Sequence, residues 1–167
     1  MHTPSPVALA LLLGAVPASI WAGLSDLSRM KIPNKSVLLL LATFVGIGLA
    51  ALPAEAWSFG DWAWRWVHLA VVLAVGLGMY SLGGAGAGDV KFAAAAAPFV
   101  ATADIGRVLT ILCATMLAAF AAHRLARASF GPVMAPHWVS WSTGRRFPMG
   151  VALGGTLVTY LALCALP

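Results

Sequence analysis

The sequence predicts an all-α integral membrane protein: one domain over residues 1–167, six transmembrane helices, N-terminus outside. Three observations predict it. Hydrophobic residues make up 61% of the chain and charged residues only 9%, with a mean hydropathy of +0.92. A soluble domain is about 25% charged, and one this long leaves roughly a third of its unfolded surface in water, so it could not hide this much apolar area. Apolar runs near the bilayer-spanning length of about twenty residues recur along the chain. The ten Lys and Arg are scattered through short connections, as topology determination and contact with anionic lipid require.

The first span covers about residues 6–24 and lacks the Lys/Arg-rich start of a signal peptide. It is read as a retained helix, kinked or adjusted near Pro17. Polar sequence begins at Ser25-Asp26, and Pro33-Asn34 marks a turn. The second span is about 36–52. After it, Glu55 and Asp61 lie among Trp57, Trp62, Trp64 and Trp66, a density that reads as an interfacial aromatic belt. The third span is about 64–82, and the glycine stretch Gly83-Gly84-Ala85-Gly86-Ala87-Gly88-Asp89 follows.

The fourth apolar run, about 90–102, gives only about 20 Å of helix against a hydrocarbon core of about 30 Å. Either the helix begins within the glycines, or the bilayer thins there, or Asp89 sits in a watered recess. Five alanines, Ala93 to Ala97, would admit a close neighbour. The fifth span is about 105–123, with Asp104 as N-cap. A polar loop of about two dozen residues carries Trp138 and Trp141, which suggest that it lies on the membrane surface. The last span is about 148–166, where Gly150, Gly154 and Gly155 offer close-packing faces.

Charge bias orients these spans. With the N-terminus outside, the cytoplasmic connections hold Arg29, Lys31, Lys35, Lys91, Arg124, Arg127, Arg145 and Arg146, and the other side only Arg65 and Arg107. Asp26 and Asp89 then share the cytoplasmic face.

Several chemistries are excluded. The net charge of +5 does not indicate nucleic acid when the cations are so dispersed. Cys113 and Cys164 lie in apolar runs as small buried hydrophobes, and no CxxC pair exists. The four isolated histidines form no HExxH, so neither a metal nor a cofactor is expected.

Five acids remain. Glu55, Asp61 and Asp104 read as solvated or capping groups on the outer side. The bland reading of Asp89 is an N-cap for the fourth helix, and that of Asp26 is a loop acid beside Arg29 and Lys31. Yet Asp26 ends its helix, where the dipole disfavours an anion. Two carboxylates that converge on one water share a proton, so one activates the water while the other protonates a carbonyl. Lys91 does not share a helix face with Asp89 at this spacing; it either snorkels or turns toward substrate or Asp26. Gly83, Gly84, Gly86 and Gly88 read as a flexible link, as a packing motif, or as space for a substrate backbone to reach the acid.

On these residues the chain resembles the type IV prepilin peptidases, within the GxGD class of intramembrane aspartyl proteases. Gly86-Ala87-Gly88-Asp89 is the signature, extended by Val90-Lys91. Asp26, six residues before Ile32-Pro33-Asn34, matches the first aspartate motif. Phe147-Pro148-Met149-Gly150 looks like the family's Pro-aromatic-Gly segment, with Met149 in place of the aromatic. The resemblance implies Asp26 and Asp89 as the catalytic pair, with Gly86, Gly88, Lys91, Ile32, Pro33, Asn34, Pro148 and Gly150 as supporting or substrate-binding positions. It implies removal of the short basic leader of prepilins or pseudopilins at the cytoplasmic face of a bacterial inner membrane, in type IV pilus assembly or protein secretion. Larger members also N-methylate the product and carry paired CxxC motifs in an extra N-terminal region. This chain has neither, so it resembles the peptidase-only form of tight-adherence (Flp) systems.

Two other readings compete. One is a GxGD enzyme with another substrate, such as an archaeal-type preflagellin or a signal peptide remnant. The other is a non-catalytic scaffold or small transporter whose acids bind an ion or a partner. A rhomboid-like serine protease fails for want of a GxSG motif.

Overall fold

The computed structural model describes residues 1–54, 56–144 and 146–166. The expectations for Glu55 and Arg145 lie outside these residues. Among the described residues there are helices and turns and no strand. The helices are α1 (Ser5–Arg29), α2 (Asn34–Ala51), α3 (Phe59–Ser81), α4 (Ala87–Ala96), α5 (Ile105–Ala128), the short α6 (Gly131–Met134) and α7 (Met149–Ala165).

Four segments are long and apolar enough to cross a membrane: Ser5–Arg29, Asn34–Ala51, Phe59–Ser81 and Thr102–Ala128. α7 is apolar but shorter, at 17 residues. The predicted fourth span differs most. α4 does begin within the glycines, at Ala87, but it stops at Ala96 and gives way to a 3-10 turn, Ala97–Phe99. Pro98 explains the stop, because it lacks an N–H and crowds the carbonyl four residues back. At about 1.5 Å per residue, α4 is only about 15 Å long.

The core is a seam between α1 and α7, with α2 on the other side of α1 and α4 against α2, α3 and α7. Small residues set the spacing of the seam. A Cβ on Gly154 would come 3.0 Å from the Ser19 Cβ, and one on Gly23 would touch Val151 at 3.6 Å. The expected close packing of α7 therefore holds at Gly154, whereas Gly155 meets only Thr115 at 4.0 Å. α1 runs unbroken through Pro17 and past Asp26 to Arg29. The close approach of α3 to α4 comes from Gly76, whose added Cβ would stand 2.6 Å from Val90.

Several side chains depart from the sequence reading. Trp57, Trp62 and Trp66 turn inward around the buried Phe44 at centroid distances of 5.8, 6.3 and 5.3 Å, and only Trp64 remains exposed. Gly48 makes room for Trp62. What reads as a belt is mostly core, because apolar Phe44 and Phe99 offer the indoles a better surface than headgroups do. Cys164 is buried, but Cys113 lies on the outer surface of α5. Arg65, expected in an outer connection, is buried; its guanidinium donates to the Phe99 carbonyl (3.0 Å) and Thr3 Oγ1 (3.1 Å) and lies over Trp57.

Asp104 occupies the N-cap position of α5 as expected, but its side chain makes no cap bond and is completely buried rather than solvated. Its carboxylate accepts from the His2 backbone N–H (2.8 Å), Arg107 (3.1 Å) and the Tyr160 hydroxyl (3.1 Å), with the His2 ring at 3.0 Å. A buried carboxylate needs such partners, and they lie on three segments that the sequence does not link.

Candidate active site

The glycine stretch is built rather than slack. Gly83 takes φ +73°, the left-handed value that ends a helix, and donates to the Tyr80 carbonyl while Gly84 donates to that of Met79. This paired closure is a Schellman motif, and it stops α3 abruptly. Gly86 then occupies the N-cap of α4, which moves Asp89 into the first turn, three residues in. Asp89 is therefore not the N-cap. A Cβ on Gly86 would fall 2.6 Å from the Asp89 carboxylate, so the bare backbone lets the acid fold back over its own helix start.

Asp26 is held from the other side. α1 closes with Met30 in the left-handed region (φ 53°), its N–H on the Asp26 carbonyl at 2.8 Å. The Ser25 hydroxyl donates to the Lys31 carbonyl at 2.8 Å and fixes the turn. Pro33 then precedes α2, and the Ser36 hydroxyl donates back to its carbonyl. Pro148 is buried as the N-cap of α7, and two residues later the Gly150 N–H donates to Asp26 Oδ2 at 2.8 Å. That N–H is one of the free donors that open every helix, here turned on a carboxylate.

Ile32 joins the two halves. A Cβ on Gly88 would come 3.2 Å from the Ile32 Cβ, and one on Gly150 would come 3.2 Å from the Ile32 Cδ1 and 3.0 Å from the Asp26 Cβ. Gly88 and Gly150 thus let α4 and α7 close on the Ile32 turn. Of the readings open for Gly88, the packing motif is the one this contact supports, and Gly150 packs closely as expected of it. Lys91 Nζ reaches Asn34 Oδ1 at 3.4 Å, a second tie between α4 and the start of α2. Lys91 goes neither to Asp26 nor to Asp89 in this arrangement.

The electrostatics follow from the packing. Asp26 is buried and Asp89 half-buried. The Asp89 carboxylate accepts from the Gly86 backbone N–H and lies within electrostatic reach of the Asp26 carboxylate. Two carboxylates so placed can share one proton, which is the arrangement that water activation needs. Among the described residues no cluster of three or more His, Cys, Asp or Glu could hold a metal ion.

Some of this site was not named from the sequence. Ser25 and Met30 shape the first aspartate turn; the short spacing from Asp26 to Pro33 was the available signal. The bond from Gly150 to Asp26 joins residues 124 apart and had no local signal.

The sequence model of the type IV leader peptidase family matches residues 9–123 of this chain, more than half of it. The matched stretch contains both aspartates and ends before Pro148 and Gly150. No curated protein and no solved structure matches the chain. With the match running from α1 through both aspartate-bearing turns, the chain belongs to the type IV leader peptidase family.

Proposed function

We propose that this protein is a prepilin leader peptidase, an aspartic endopeptidase in which Asp26 and Asp89 form the catalytic pair. The observation that supports the reading is the placement of the two acids at one end of the bundle, where Gly88 and Gly150 both close on the Ile32 turn and the Gly150 N–H donates to Asp26. The ionised carboxylate takes a proton from water as the oxygen attacks the scissile carbonyl. The protonated partner donates to the carbonyl oxygen; as the tetrahedral gem-diol collapses, the first carboxyl gives its proton to the leaving nitrogen and the second takes one back from a hydroxyl, releasing the leader and the new N-terminus. No cofactor enters these steps.

The six-span topology belongs to the proposal. α4 with its 3-10 turn is the short fourth crossing, and α7 is the sixth. Arg29, Lys31, Lys35, Lys91, Arg124, Arg127, Arg145 and Arg146 put the aspartates on the cytoplasmic side of a bacterial inner membrane. The substrate is a type IV or Flp-type prepilin or pseudopilin, and the activity is peptidase without N-methylation.

Co-expression with a candidate prepilin tests this, read by the size shift on leader removal. Asp26→Ala and Asp89→Ala are expected to insert normally and to process nothing. Processing retained in either variant would instead favour a scaffold or transporter role for the acids.

A further inference from the structure

The connection between α5 and α7 is read from sequence as a surface loop, yet it folds onto the bundle. His123, near the end of α5, is buried and lies face to face with Trp141 at 5.1 Å. Phe147 sets its edge against His123 at 5.9 Å and against Phe120 at 5.7 Å. Trp138 stacks on Trp141 at 5.6 Å, and the Trp141 indole N–H donates to the Ala135 carbonyl at 2.9 Å. Arg127 donates to the Gly144 carbonyl at 2.8 Å. The turn Val139–Trp141 packs against α1, the helix that carries Asp26.

Phe147 is three residues from Gly150. The direction in which the chain enters α7 is fixed by Phe147 on one side and by buried Pro148 on the other, and that direction aims the Gly150 N–H. Among the described residues neither ring nitrogen of His123 has a hydrogen-bond partner, so the imidazole serves as a flat aromatic surface. We infer that His123, Trp141 and Phe147 form an aromatic clasp that holds the Gly150 N–H on Asp26, which makes them positioning residues for proteolysis. The inference rests on the peptidase reading for its kinetic consequence, but its geometric consequence stands independently.

The test uses the full chain and a purified prepilin. His123→Ala and Phe147→Ala are expected to lower kcat by about ten- to a hundredfold with KM within about twofold, since about 1 Å of misplacement costs on that order. His123→Phe keeps the ring surface and is expected to stay near wild-type kcat. Hydrogen exchange at the Gly150 amide supplies a readout that needs no activity: protection falls in His123→Ala and is kept in His123→Phe. Tyr160→Phe, which loosens the opposite end of the bundle, controls for general destabilisation and is expected to leave kcat and Gly150 protection unchanged. Unchanged Gly150 protection in His123→Ala overturns the clasp. So does a His123→Phe variant as impaired as His123→Ala, because a ring nitrogen would then be required. A wild type that processes no prepilin, with Gly150 protection behaving as stated, overturns the peptidase reading and leaves the clasp supported.

Discussion

At the residue scale, Gly150 is the position where the structure demands most. Its added Cβ would stand 3.0 Å from the Asp26 Cβ and 3.1 Å from Oδ2, so neither the acid nor α7 has room to stay in place. Gly150→Ala is expected to cut processing by about a hundredfold or more while the protein still inserts, because the displacement acts on the reacting group. Wild-type turnover in Gly150→Ala would show that the contact is incidental. Asp89 supplies a second prediction. The Asp26 carboxylate acts on Asp89 as a neighbouring like charge. Neutralising it with Asp26→Asn removes a like charge, and the Asp89 carboxyl then loses its proton at lower pH than in wild type. The infrared carboxyl band followed against pH checks this; an unmoved titration would mean the two acids do not sense each other.

At the scale of elements, the helices are legible in the sequence and several of their ends are not. Residues 36–52 and 105–123 read correctly as helix because an uninterrupted apolar run leaves little choice of structure in or out of lipid. α4 ends six residues short of the expected 102 because Pro98 stops it, while the alanines before Pro98 favour helix at any length. The glycine stretch left packing motif, flexible link and substrate space equally open. Its division into a helix stop at Gly83, an N-cap at Gly86 and a packing contact at Gly88 depends on φ values and on Ile32, which composition does not carry. Gly83→Ala puts a side chain into the left-handed region and is expected to cost about 1 kcal/mol of stability with little effect on turnover. A measured loss of turnover without loss of stability would assign Gly83 to the site rather than to the end of α3.

At the scale of the molecule, the bundle has two polar ends. One holds Asp26, Ile32, Asp89 and Gly150. The other holds His2, Thr3, Arg65, Asp104, Arg107 and Tyr160, joined by bonds of 2.8–3.4 Å. α1 connects them over about 37 Å at 1.5 Å per residue. The sequence places Arg65, Asp104 and Arg107 on this side but does not show them joined, because the partners that join them come from α3, α5, α7 and the N-terminus. Its work is structural. Asp104→Ala leaves buried donors without a partner and is expected to lower stability by about 3 kcal/mol, read as a lower unfolding temperature in detergent, with processing retained below that temperature. Loss of processing in a folded Asp104→Ala protein would place chemistry at the wrong end. Asp61→Ala, which removes a partner of the Ser58 cap of α3, is likewise expected to stay within a few-fold of wild type. The central claim is that Asp26 and Asp89 act together, and leader removal from a co-expressed prepilin by Asp26→Ala and by Asp89→Ala tests it most directly. The account predicts no mature pilin from either variant at wild-type membrane levels; mature pilin from either one would contradict it.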